Sequence, residues 1–238
     1  MSRGVPVLMY HWVNDDLGDK LRLYGVTPSS FRSQLGWMKR LGYRSVPLEA
    51  MFPGDGRRVV LTFDDGYVDN VENAMPVLEE AGMTATVFVV TDHAGGVNAW
   101  DLAHGDAPRP LLTWERMRAL DGRTLRFEPH SRTHPFLPKL SAAAAREEIV
   151  GSKKRLEDEL GRPAVAFSYP HGAYDEAVEG MVREAGFAMA VTDRPGLNRE
   201  GDDPIRVRRT MITSRDVLPT FLVKLGVGRG VYDLLGWS

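Results

Sequence analysis

Six histidines and no cysteine occur among the 238 residues, and four of those histidines follow short runs of apolar, strand-forming residues. Val5–Tyr10 leads into His11, and Val59–Phe63 into Asp64-Asp65-Gly66. Leu125–Glu128 leads into His130, with His134 four residues on, and Ala164–Tyr169 into Pro170-His171-Gly172. Two imidazoles and a carboxylate suit a divalent metal with a position left for water. The pentapeptide His130-Ser131-Arg132-Thr133-His134 can present both rings on one side of a tight turn. Adjacent aspartates on extended backbone point to opposite sides, so one can ligate while its neighbour faces substrate as a base. A metal lowers the pKa of bound water from about 15.7 to about 7. The free carboxylate can then take the proton, and a histidine opposite can protonate a leaving group. Each piece alone has a plainer reading: Asp-Asp-Gly is a common turn, and paired histidines are often packing residues. Four such features at successive strand ends argue for chemistry.

The elements that must position these residues alternate short β-branched runs with longer helical ones, the pattern of an α/β fold with a parallel sheet. Strands are expected at Val5–Tyr10, Val59–Phe63, Thr84–Val90, Leu125–Glu128, Ala164–Tyr169, Ala188–Val191 and Ile205–Arg208. Helices are expected at Ser30–Leu41, Val68–Ala81, Trp114–Leu120, Ser141–Leu160 (Ser141 as N-cap) and Asp175–Ala185, several closed by a following glycine. Residues 92–112 read as one long functional-type loop holding His93 and His104, the two histidines away from strand ends. About seven βα units without a linker favour one domain spanning 1–238. A closed or nearly closed (β/α) barrel suits that length better than an open sheet, a choice that spacing alone leaves open. In such barrels the C-terminal strand ends open onto one face, which gathers both carboxylates and the four histidines on one rim.

Composition sets outer bounds. With 43% apolar and 26% charged residues the chain is that of an ordinary globular protein. Thirty basic against 32 acidic residues leave a net charge of −2, without the basic excess of a nucleic-acid binder. The first apolar stretch, Val5–Tyr10, is shorter than a secretory core, so the expected location is cytoplasmic or peripheral to a membrane. Residues 213–238 form an apolar tail with Phe221, Leu222, Leu225, Leu234, Leu235 and Trp237. It is read as packing on the barrel, with a membrane surface as the other candidate contact. Trp37 and Met38 are read as core and Arg146–Glu159 as a solvated helix face. Trp12, beside His11, is the indole best placed to present an aromatic face to a ligand, with Trp100 and Trp114 read as structural.

Thr62-Phe63-Asp64-Asp65-Gly66 and His130-Ser131-Arg132-Thr133-His134 resemble the first two motifs of the polysaccharide deacetylases, the NodB-homology or carbohydrate esterase family 4. Val7-Leu8-Met9-Tyr10-His11 resembles the N-terminal signature of the poly-N-acetylglucosamine deacetylase branch. The resemblance spans roughly residues 5 to 212. It implies a NodB-type distorted barrel and metal-dependent removal of N-acetyl groups from an N-acetylhexosamine-containing polysaccharide or its precursor. It further implies Asp64 as base, Asp65, His130 and His134 as ligands to one divalent ion, and His11 as acid. Zinc is the first expectation for that ion, with cobalt, nickel or iron as alternatives. Phe167-Ser168-Tyr169-Pro170-His171-Gly172 resembles the third motif with two departures. Ser168 stands where many members carry an arginine that steers the base, and His171 stands where they carry a tyrosine. Arg208 or Arg209 is expected to replace the arginine. The main-chain N–H at His171 is expected to serve the oxyanion, and Tyr169, His171 and Trp12 to face substrate. The rival readings are a deacetylase or deformylase of a lipid-linked or small sugar, and a catalytically silent glycan-binding module.

Overall fold

The computed structural model describes residues 4–18, 21–102, 105 and 107–228. Val5–Tyr10 pairs in parallel with Arg57–Phe63, which pairs with Ala85–Val89, which pairs with Leu125–Pro129. Ala166–Ser168 and Met189–Val191 form a separate parallel pair. The ring closes through residues 207–211: Val191 bridges to Val207, and Thr210–Met211 pairs in parallel with Leu8–Met9. Among the described residues the ladder breaks once, between Leu125–Pro129 and Ala166–Ser168. There the buried Glu128 carboxylate accepts the N–H groups of Val165 and Ala166 at 2.9 and 3.2 Å. A side chain thus stands in for a missing strand neighbour and leaves the barrel distorted.

Alternation along the strands sorts the apolar residues into two sets. Val5, Val7, Val60, Phe88, Ala166, Val191 and Val207 fill the barrel interior, closed below by Leu48 and Met51. Leu8, Tyr10, Leu61, Phe63, Val87 and Phe127 face outward onto the helices. Helix Pro28–Arg40 begins at Thr27, whose hydroxyl accepts the Ser30 N–H, and buries Phe31, Leu35 and Met38; Trp37 is only half-buried. Helix Ala142–Leu160 has Ser141 as its N-cap and a left-handed Gly161 after it, as expected. Its face Ala145, Ile149, Leu156 seals one flank.

Three expected elements differ. Ile205–Arg208 is not a strand: Pro204 starts a 3₁₀ turn at Pro204–Arg206, and the Asp203 side chain caps it by accepting the Ile205 N–H. Turn chemistry there outweighs β-branched composition. Val68–Ala81 is split into a π-turn over Asn70–Ala74 and an α-helix from Met75. The loop at 92–112 carries a short helix, Ala99–Leu102, and is tied down by the bridges Tyr67–Leu111 and Val97–Pro110. Tyr43–Ser45, Trp12–Val13, Gly25–Val26 and Leu197–Asn198 add short strands that alternation did not reveal. In the tail, Phe221 and Leu225 of helix Leu218–Val227 are buried against the outer core. Leu234, Leu235 and Trp237, like His104, lie outside the described residues. No described helix is long and apolar enough to cross a membrane.

Candidate active site

The strand ends deliver their polar residues to one cavity of about 480 Å³, lined by His11, Asp64, Asp65, His130, His134 and His171 among others. Strand Arg57–Phe63 points Thr62 and Asp64 inward, beyond Val60. Asp65 then takes a left-handed conformation at φ 74°. The two carboxylates therefore diverge through a turn, and not through extended alternation. Ser131 and His134, both at φ 63°, fold the second motif back on itself and bring the two imidazole centroids to 4.9 Å. Gly66 cannot be replaced cheaply, since a Cβ there would sit 2.8 Å from Val89 Cγ1.

Asp65, His130 and His134 offer one ligand atom each, all within 4.8 Å of one another, and all three residues are buried. Asp65 Oδ1 lies 3.8 Å from His130 Nε2 and 3.6 Å from His134 Nε2. It is buried without a hydrogen-bond partner. His130 Nδ1 lies 2.8 Å from the Ser168 carbonyl, which fixes its proton on Nδ1 and leaves Nε2 as a lone pair facing Asp65. Burial holds the imidazole of His130 down at about 4 and lowers His134 well below its ordinary value, so both are neutral, the ligating form. Burial, then Asp64 and Asp101, raise Asp65 well above the usual carboxylate range. An orphaned carboxylate oxygen facing the Nε2 atoms of two neutral imidazoles is a donor set that a divalent cation satisfies.

Asp64 has the opposite surroundings. Arg209 reaches through the barrel interior and donates from Nη1 to Oδ1 and from Nη2 to Oδ2, both at 2.7 Å. The guanidinium is 0% exposed: Nε donates to the Thr192 carbonyl, Nη1 also to Thr62 Oγ1, and the second Nη2 hydrogen is shared between Ser168 Oγ and Asp193 Oδ1. Burial would raise Asp64, but Arg209, and to a lesser degree His130 and His11, bring it down to about 2. Of the two arginines expected here, Arg208 points outward to Asp202 and the Leu197 carbonyl. Ser168, at the position where an arginine was expected, donates its hydroxyl to Asp64 at 3.5 Å.

His11 lines the same cavity, edge-on to the Tyr24 ring at 4.8 Å. Burial lowers its imidazole to about 4, against the pull of Asp64. His171 packs flat on Phe136 at 4.0 Å and edge-on to His134 at 4.3 Å, with Nε2 3.3 Å from the His134 carbonyl. Two expected substrate contacts are corrected. Tyr169 is wholly buried in the outer core and its hydroxyl donates to the Ile205 carbonyl, so its side chain points away from the cavity. Trp12 lines the cavity but is 1% exposed, with Arg109 over its ring at 4.2 Å and Tyr67 against it, so its faces are taken. Trp100, read as structural, lines the cavity and stacks on His134 at 4.8 Å, with His93 behind it. Sequence reasoning also passed over Tyr24, Asp101, Phe136 and Asp193. Asp193 was within reach of the strand-end rule, two residues past Val191.

A family model for polysaccharide deacetylases matches residues 53–190. A Bacillus subtilis protein named as a polysaccharide deacetylase is 31% identical over 199 residues, 81% of this chain, which spans 65% of that protein's length. The poly-β-1,6-N-acetyl-D-glucosamine N-deacetylase of Staphylococcus epidermidis is 26% identical over 243 residues, covering 90% of this chain and 81% of its own. Among solved structures, a Bacillus anthracis protein described as a polysaccharide deacetylase superposes with a TM-score of 0.79 at 26% identity. That match covers 94% of this chain and 69% of the other.

Proposed function

The chain belongs to the polysaccharide deacetylase family, and from that premise we propose that it is a metal-dependent N-deacetylase of an N-acetylglucosamine polymer. The observation that carries this reading is the unequal treatment of two adjacent carboxylates: Asp64 is paired with Arg209 through both oxygens, and Asp65 has Oδ1 orphaned beside two neutral imidazoles. Asp65, His130 and His134 would hold the cation. When bound, it supplies Lewis acidity that polarises the acetyl carbonyl and makes water more acidic. Zinc heads the candidates for a site of this donor set, ahead of cobalt, nickel and iron.

Asp64 accepts the proton of the attacking water as its oxygen bonds to the acetyl carbon. Both carboxylate oxygens already take an N–H from Arg209 and Oδ2 takes the Ser168 hydroxyl as well, so the lone pair left for the water is on Oδ1, and the arginine fixes where it points. The main-chain N–H of His171 is assigned to the oxyanion that develops on the acetyl oxygen. Burial holds His11 neutral in the resting site, so it acts in its protonated form and gives that proton to the departing amine as the C–N bond breaks, releasing acetate and a free amino sugar. Trp100 and Tyr24 supply aromatic walls at the mouth of the cavity for a pyranose ring. The named Staphylococcus epidermidis relative makes a β-1,6-linked polymer the first substrate to try.

The test is acetate release from β-1,6- and β-1,4-linked N-acetylglucosamine oligomers, with bound metal counted in the same samples. Asp64→Asn is expected to retain the metal and lose about 10²- to 10⁴-fold in kcat. Metal lost together with activity would contradict the division of labour between the two aspartates, and no acetate from any acetylated sugar would overturn the function.

A further inference from the structure

The stretch Asp64–Asn73 carries more than the two carboxylates. After Gly66 it enters the π-turn Asn70–Ala74, and three of its side chains reach back to the segment bearing His11. Asn70 Nδ2 donates to the His11 carbonyl at 2.7 Å, and Asn73 Nδ2 donates to the Val13 carbonyl at 2.7 Å. Asp69 Oδ1 accepts the Val13 N–H at 3.2 Å. Asn70 is 0% exposed, so its amide is committed to this contact. On the other side the segment has the short pairing of Trp12–Val13 with Gly25–Val26, extended by the Asn14 N–H donating to the Val26 carbonyl at 3.0 Å. A Cβ on Gly25 would lie 2.1 Å from Trp12 Nε1. So short a pair does not hold itself in register. Without this donor the part-buried His11 carbonyl would be left unsatisfied, which makes the amide at position 70 a structural commitment. Just upstream, the Asp64 N–H donates to the Tyr10 carbonyl at 2.9 Å. Base and clamp therefore belong to one run of ten residues that grips the end of the first strand from both sides of His11.

We infer that Asn70, assisted by Asp69 and Asn73, is a positioning residue for His11, fixing the main chain from which the imidazole reaches the departing amine. The inference rests on His11 being the proton donor proposed above. A π-turn in place of a regular helix turn fits this use, since such turns concentrate at functional sites. Because the Asn70 amide bonds only the His11 carbonyl and the Asp69 side chain, and touches neither His130 nor His134, the effect is expected on the chemical step, with metal and substrate binding largely retained.

The experiment is a double-mutant cycle on metal-loaded protein, with a β-1,6-linked N-acetylglucosamine pentamer as substrate. kcat, KM, bound metal and thermal midpoint are measured for wild type, Asn70→Ala, His11→Asn and the double variant. Asn70→Ala is expected to lower kcat by about 10- to 100-fold, with KM within about twofold and the metal retained. Added to His11→Asn, it should change kcat by less than about twofold, because a group that acts through His11 has nothing left to position. A loss that multiplies on top of His11→Asn, or a rise in KM with kcat intact, overturns the inference while leaving the proposed function standing. If His11→Asn itself leaves kcat unchanged, the acid assignment falls and this inference with it. Should Asn70→Ala not fold, Asn73→Ala, at a half-buried position, runs the same cycle, with a smaller loss expected and the same two outcomes overturning it.

Discussion

Asp64 and Asp65 are joined by one peptide bond and face two different regions of the molecule. Asp64 looks down into the barrel, where a wholly buried guanidinium binds both its oxygens and holds its pKa at about 2. Asp65 looks up toward His130 and His134, with one oxygen orphaned, and burial holds it well above the ordinary carboxylate range. Burial alone therefore does not decide a carboxylate's state; the charge of its nearest partner does. The interior region brings its own cation in Arg209, whereas the rim region is complete only when a cation comes from outside.

The largest expected effect comes from taking the interior cation away. Arg209→Met leaves Asp64 buried and unpaired, which should cost about 3–5 kcal/mol of stability in the metal-free protein. Arg209→Met combined with Asp64→Asn removes both charges and should recover most of that loss, since replacing both members of a buried pair is often close to neutral. Urea denaturation of the two variants in the presence of chelator reads this directly. A single variant as stable as wild type, or a double variant no better than the single, would break the comparison at its interior end.

A third carboxylate in the same turn gives an intermediate case. Asp69 accepts the Val13 N–H and the Asn70 amide, with no cation in direct contact. Burial raises it to about 6, against the Val13 and Asn14 hydrogen bonds and the more distant Arg109. A folded pKa above the unfolded value of about 3.9 means that its contribution to stability is complete below pH ~4 and is lost as pH rises through about 6. Asp69→Asn stays neutral throughout, so the variant should gain stability relative to wild type between pH ~4 and ~7. Denaturant midpoints of the pair across that range test it, and a difference that does not change with pH would remove Asp69 from the series.

How much of this was readable in sequence follows from where each signal resides. Apolar runs ending in Asp or His mark strand ends, and strand ends gather on one rim in a parallel barrel, so the cavity's four histidines and two carboxylates were legible from position alone. Arg208 and Arg209 were both visible as replacements for the absent arginine at Ser168. Choosing between them requires knowing which faces inward, and the expected strand Ile205–Arg208 gave the wrong frame, because Asp203 and Pro204 cap a turn there. Tyr169 was carried in by the third-motif resemblance, although its place one residue past Ser168, which faces Asp64, turns its ring outward. Trp12 was expected to offer a face to substrate and Trp100 to be structural; both line the cavity, and the faces of Trp12 are covered. Which indole is covered depends on where Arg109 and the 92–112 loop fold, and that is long-range information. Asn70 acts through a main-chain bond to a segment 59 positions away, which has no signature in residue type.

The smallest expected effect concerns how firmly the rim region is built. His171 occupies the left-handed region at φ 57°, lies flat against Phe136, and has Nε2 within 3.3 Å of the His134 carbonyl. With Nε2 protonated, that contact donates to the loop that carries a ligand imidazole, so His171 steadies His134 without facing the cation itself. Contacts of this rank typically change metal affinity by about 10- to 100-fold when removed. The lower end applies here, because Ser131 Oγ also holds His134 by accepting its N–H at 3.0 Å. Asparagine tolerates the left-handed backbone better than most residues, so His171→Asn removes the ring while preserving the turn and its main-chain N–H. The expected outcome is zinc affinity about tenfold weaker, read by competition with a chromophoric chelator, with Arg209 and Asp64 undisturbed and thermal stability of the metal-free protein nearly unchanged. An affinity equal to wild type would mean that Ser131 and the turn suffice to hold His134. A large fall in metal-free stability would instead make His171 part of the interior scaffold, and the division between the two regions would have to be drawn elsewhere.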